Sequence, residues 1–93
     1  MEEQVKARVC VFGKVQGVFF RRSARIKAEE LGIVGWVKNR DDGGVEAVCQ
    51  GPRESVNKFI DWCKKGPPFA KVEQTEVDFG KVEEDLIEFS ITD

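Results

Sequence analysis

The order in which apolar residues change their spacing along this chain constrains its fold more than any single motif. Between Val5 and Phe12 they alternate: Val5, Ala7, Val9 and Val11 share one face, and Lys6, Arg8, Cys10 and Phe12 share the other. A period of two marks a half-buried strand. From about Arg21 to Leu31 the spacing lengthens, and Phe20, Ala24, Ala28 and Leu31 form the single stripe of a helix, which Gly32 closes. Two further strands are expected at Val34–Asn39 and Val45–Gln50, and Arg40-Asp41-Asp42-Gly43-Gly44 between them is a hairpin signal. Gly51-Pro52 opens a second helix, with proline near its first helical position and Val56, Phe59, Ile60 and Cys63 as its buried stripe. Lys64, Lys65 and Gly66 suit a helix end, and Pro67-Pro68 forbids continuation. A fourth strand fits Val72–Phe79 and a short last strand Ile87–Ile91.

Strand, helix, strand, strand, helix, strand is the double split β-α-β order, so the fold class is α+β, a ferredoxin-like sandwich. Its antiparallel sheet is expected to be covered on one face by two helices, with a short strand added at the C-terminus. The length predicts one domain over residues 1–93. A chain this short buries about 60–65% of its unfolded surface, enough for a core without disulfides or structural metal. The order also has a geometric consequence. The first two strands are joined by a helical crossover, so they run parallel and end at the same sheet edge. With the third strand between them, the loop after the first strand and Asn39 at the end of the second lie about 10 Å apart. A loop leaning inward, with Arg21 behind it, brings both within reach of one phosphate-sized group.

Composition excludes several chemistries. The net charge of −2 provides no global field for nucleic acid or an anionic membrane, so a phosphate ligand needs a local positive site. There is no histidine and no tyrosine, which removes histidine bases, phosphohistidine and histidine–metal sites. Ser23, Ser55, Ser90, Thr75 and Thr92 therefore have only lysine as an activating partner. Cys10, Cys49 and Cys63 form no Cys-x-x-Cys pair and are expected as buried free thiols. No signal peptide or membrane span is expected, and the location expected is cytoplasmic.

The junction from Gly13 to Arg21 carries the candidate chemistry. Two glycines permit a sharp turn with uncovered amide N–H groups, and the helix N-terminus adds its own free donors. Such a place suits an anion, and Arg21 adds a planar, permanently charged fork. By itself Gly-x-x-x-Gly before a helix is a common pattern. Arg22 and Arg25 are nearby decoys: one helical position turns a side chain by about 100°, so Arg22 is expected to face elsewhere. Asp41, Asp42 and Glu46 resemble a magnesium cluster, but turn chemistry accounts for them more simply. Trp36 is expected to pack between sheet and helix, and Glu83-Glu84-Asp85 to be a solvated acidic turn.

Gly13-Lys14-Val15-Gln16-Gly17-Val18-Phe19-Phe20-Arg21 followed by Gly35-Trp36-Val37-Lys38-Asn39 resembles the acylphosphatases, and the pair is far more specific than either part. The resemblance continues through Asp42-Gly43-Gly44-Val45-Glu46, Gln50-Gly51-Pro52, Gly66-Pro67-Pro68 and Phe89-Ser90-Ile91. It implies hydrolysis of the anhydride between a carboxylic acid and phosphate, without metal, cofactor or covalent intermediate. It assigns phosphate binding to Arg21, the positioning of the attacking water to Asn39, and further phosphate contacts to the backbone amides of Gln16, Gly17, Val18, Phe19 and Phe20. The Gln16 side chain is expected to brace the loop. The implied partners are an acyl phosphate and inorganic phosphate, with no nucleic acid or membrane, and the implied state is a monomer. Two departures stand out. Phe19 occupies a position where some members carry cysteine, and the ending Ile91-Thr92-Asp93 replaces an arginine and an aromatic residue, which puts the C-terminal wall of the site in doubt. Two other functions compete: an anion-binding module of the kind found in hydrogenase-maturation proteins, separated by its lack of turnover, and a single-stranded RNA binder. The second lacks a basic face and offers Phe12 with little else for base stacking.

Overall fold

The computed structural model describes residues 3–92. Its elements follow the order β1 (Gln4–Lys14), α1 (Phe20–Leu31), β2 (Val34–Asn39), β3 (Val45–Pro52), α2 (Arg53–Lys65), β4 (Lys71–Gly80) and β5 (Phe89–Ile91). One five-stranded sheet has the order β4-β1-β3-β2-β5. β1 and β2 both pair antiparallel with β3, so they run parallel to each other and end at the same edge, as the crossover requires. The sheet is not wholly antiparallel, because β5 pairs parallel with β2. β5 runs back against β4 but docks at the far edge of the sheet, beside a strand that already points its way.

The last strand begins at Phe89 rather than Ile87, because residues 81–88 are spent crossing between the two edges. That crossing is pinned rather than free. Gln50 Nε2 donates to the Glu83 carbonyl and Gln50 Oε1 accepts from the Glu83 N–H, each at 2.7 Å, and Lys6 Nζ reaches the Glu83 carboxylate at 2.8 Å. The acidic turn is thus tied to the uncovered sheet face at one residue, while Ile87 stays in solvent.

The core lies between the helices and the inward positions of the strands. Val5, Ala7, Val9 and Val11 of β1 meet Ala24 and Ala28 of α1 and Val56, Phe59, Ile60 and Cys63 of α2. Pro52 sits one residue before α2, which starts at Arg53. Cys10, Cys49 and Cys63 are buried free thiols. Trp36 does not pack between sheet and helix. It is opposite Val48, whose neighbours Ala47 and Cys49 face the core, so the indole lies on the uncovered face, with Lys38 Nζ 5.4 Å from its ring. Gly35 beside it has φ 143°, and a Cβ there would collide with the Val48 carbonyl oxygen, which requires glycine at this close approach.

Candidate functional site

The loop between β1 and α1 leaves its backbone donors unused. The first N–H of α1 to find a carbonyl is that of Ser23, which donates to Phe19 O at 3.0 Å. Among the described residues, the N–H groups of residues 16–22 donate to no carbonyl and no side chain. The helix has no side-chain cap and no acidic residue in its first turn, so nothing in the described chain answers the positive end of its dipole. Gly17 has φ 74° and open space where a Cβ would stand, and Phe19 takes the left-handed conformation with φ 64° and ψ 25°. Non-glycine residues are uncommon there.

A cavity of about 280 Å³ opens on this loop. Val15, Gly17, Phe19 and Phe20 line it from the junction, Arg21 and Arg22 from the first turn of α1, Asn39 from the end of β2, and Ile91 from β5. Its lining thus holds two cations, one carboxamide and no carboxylate. The contrast with the rest of the chain is sharp. Arg8 pairs with Glu46, Arg25 with Glu29, Arg40 with Asp42 and Arg53 with Glu3, whereas Arg21 and Arg22 have no carboxylate partner among the described residues. The net charge of −2 therefore hides a local positive site built from unpaired guanidinium groups and free amides.

The loop residues named from the sequence divide into two groups. Gly17, Phe19 and Phe20 line the cavity, while the side chains of Gln16 and Val18 do not. Val18 is buried in the core. Gln16 Nε2 donates to the carbonyls of Arg40 and Gly44, both at 2.8 Å, and so clamps the loop to the turn that follows Asn39. Arg22 was expected to face away but lines the cavity, because the helix end opens axially onto the site and residues of its first turn ring the mouth whatever their rotation. Ile91 supplies the C-terminal wall that the departure at the chain end had put in doubt. Sequence reasoning missed these two, and only the docking of β5 beside β2 reveals the second.

The Asp42 and Glu46 carboxylates after Asn39 are taken up by arginine and backbone partners. Asp42 receives Arg40 Nη2 at 2.9 Å and the Gly44 N–H at 3.0 Å, and Arg40 followed by the Gly44 amide holds its carboxyl below the usual aspartate range. Glu46 is held by Arg8, with Arg40 Nη1 at 3.8 Å. Among the described residues no three histidine, cysteine, aspartate or glutamate side chains are grouped to hold a metal ion. No described helix is long and apolar enough to cross a membrane.

The acylphosphatase family profile matches residues 7–91, nearly the whole chain and both halves of this cavity. The chain belongs to the acylphosphatase family. It is 50% identical over 90 residues to the acylphosphatase of Pyrobaculum islandicum, covering 96% of this chain and 95% of that one. The crystal structure of acylphosphatase from Bacillus subtilis matches at 40% identity with a TM-score of 0.90, over 95% of this chain and 98% of that one. An acylphosphatase structure from Coxiella burnetii matches at 45% identity with a TM-score of 0.91, over 96% and 93%. As a member of that family the chain is a hydrolase of acyl phosphates. The ferredoxin-like sandwich and the two motifs agree with these matches.

Proposed function

We propose that the cavity at the head of α1 is the active site, and that it hydrolyses acyl phosphates by direct attack of water on phosphorus, without metal. The observation that carries this reading is the run of free amides at residues 16–22 beside Arg21 and Asn39, whose backbone belongs to the β2–β3 ladder while its carboxamide makes no hydrogen bond among the described residues. The phosphoryl oxygens sit against the amides of residues 16–20 and the Arg21 fork. The Asn39 carboxamide holds the attacking water. As the new P–O bond forms, the bond from phosphorus to the acyl oxygen breaks and the carboxylate leaves with its electron pair. A carboxylate needs little protonation to leave, so positioning and charge stabilisation supply most of the rate. Amides and a guanidinium aimed at the phosphoryl oxygens stabilise the charge. Asn39 cannot accept a proton, so the water's proton passes to a phosphate oxygen of the substrate. The groups named all lie within one chain, which supports a monomer as the working unit, and a single species of about 10.5 kDa by light scattering is expected.

Benzoyl phosphate hydrolysis tests the assignment. Turnover is expected to persist in EDTA and to fall by about 10²–10³ in Arg21→Ala and in Asn39→Ala. Water labelled with ¹⁸O should place its label in phosphate rather than benzoate. Full activity in Arg21→Ala would remove the phosphate assignment, and label in benzoate would move the attack to the carbonyl carbon.

A further inference from the structure

The apolar residues of the cavity differ in how far they are covered. Val15 and Phe20 are buried and form its floor, whereas Phe19 is 67% and Ile91 39% exposed. Phe19 is the sole non-glycine residue with positive φ among the described residues. An aromatic side chain is disfavoured there, and exposure of its ring offers no burial in return. Strain of this kind gathers at ligand sites. Ile91 reaches the same cavity from the other end of the chain. It is opposite Val37, which faces the core, and Asn39 is the next inward position of that strand. The placement is fixed by Thr92 N–H donating to Val37 O at 2.8 Å and Gly35 N–H donating to Glu88 O at 2.9 Å.

We propose that Phe19 and Ile91 form the acyl-binding wall of this enzyme, which makes it selective for acyl phosphates with an aromatic or branched apolar acyl group. The proposal rests on the reading of Arg21, Asn39 and the loop amides as the phosphate end of the site. An acyl phosphate is charged at one end only. With its phosphate on the donors, the acyl group points to the mouth, where the two exposed apolar side chains stand. A ring or branched chain covers both and removes apolar surface from water. An acetyl methyl is too small to do so, and an acyl group bearing a carboxylate finds only Arg22. The wall touches the acyl group equally before and during phosphoryl transfer, so it acts through KM more than kcat.

The test compares benzoyl, acetyl and succinyl phosphate in the wild type, Phe19→Ala, Ile91→Ala and Arg22→Ala, with the inhibition constant of inorganic phosphate measured in each. The ratio of kcat/KM for benzoyl over acetyl phosphate is expected to fall about three- to tenfold in Phe19→Ala and in Ile91→Ala, mainly through KM. Comparing ratios across variants cancels the intrinsic reactivity of the two anhydrides. The inhibition constant of phosphate is expected to stay within about twofold in Ile91→Ala, whose strand carries no phosphate donor. Should Phe19→Ala weaken phosphate, its loop has moved and Ile91→Ala decides the matter. An unchanged ratio in Ile91→Ala overturns the proposal, as does a wild-type preference for succinyl phosphate that Arg22→Ala abolishes. Failure of the underlying phosphate assignment looks different, since Arg21→Ala would then retain turnover on all three substrates.

Discussion

Arg21 differs from the arginines of the sheet face in having no carboxylate to hold it, so its fork stays available for a ligand. A lysine keeps the charge but presents a point rather than two parallel donors. Arg21→Lys is therefore expected to retain measurable turnover while losing about tenfold or more in kcat/KM, between the wild type and Arg21→Ala, in the same benzoyl phosphate assay. Gly35 is decided by space rather than chemistry. A Cβ there meets the Val48 carbonyl across the ladder, whereas at Gly43, also at positive φ, it meets nothing within 4 Å. Gly35→Ala is expected to cost about 3 kcal/mol and Gly43→Ala about 1 kcal/mol, read from urea denaturation midpoints. Equal costs would mean that backbone conformation rather than the cross-strand contact demands glycine.

At the scale of elements, the site depends on two loops from different strands holding a fixed separation. Gln16 sets it, because one side-chain nitrogen satisfies the carbonyls of Arg40 and Gly44 and ties the amide loop to the turn after Asn39. Gln16→Leu keeps the backbone donors and removes the tie. Its kcat is expected to fall about tenfold while the inhibition constant of phosphate changes little, since misplacement penalises the attacking water more than the bound anion. A parallel loss of phosphate affinity would instead mean that the side chain supports the cradle itself. β5 shows how an element of three residues can matter beyond its length. Its parallel ladder with β2 is extended on either side by backbone hydrogen bonds at Glu88 and Thr92, and its last residue becomes a wall of the cavity.

Whole-molecule stability should report the site as well. Inorganic phosphate binds only the folded chain, so at a hundred times its Kd it should stabilise by about 2.7 kcal/mol. For a domain of this size that is a rise in Tm on the order of 10 °C, and it should vanish in Arg21→Ala. The thiols set an alkaline limit. Burial pushes Cys49 up to about 12, offset in part by its contact with the Ala7 carbonyl, and burial raises Cys63 well above the ordinary thiol range. The folded state therefore holds these protons more tightly than the unfolded chain does. Their contribution is fully present below about pH 9 and is lost as pH rises toward 12, with a slope of at most about 1.4 kcal/mol per pH unit per thiol. Denaturation at pH 8 and pH 10.5 should show a smaller loss in Cys49→Ala than in the wild type, whatever the cost of that substitution at pH 8.

Periodicity and topology rules made the strand and helix order, the inward stripes, the shared edge of β1 and β2, and the candidates Arg21 and Asn39 legible in the sequence. These features arise from local spacing and from the handedness of a crossover, both of which a linear string carries. The free amides at residues 16–22 were foreseeable too, since glycine and a helix start imply them. What the string does not carry is where distant pieces meet. The partner strand of β5, the side of the sheet that Trp36 occupies, the pinning of residue 83 by Gln50, and the presence of Arg22 and Ile91 at the cavity were decided by tertiary packing. Each depends on a contact between segments far apart in sequence, or on the direction in which a helix end opens, and neither leaves a local period to read.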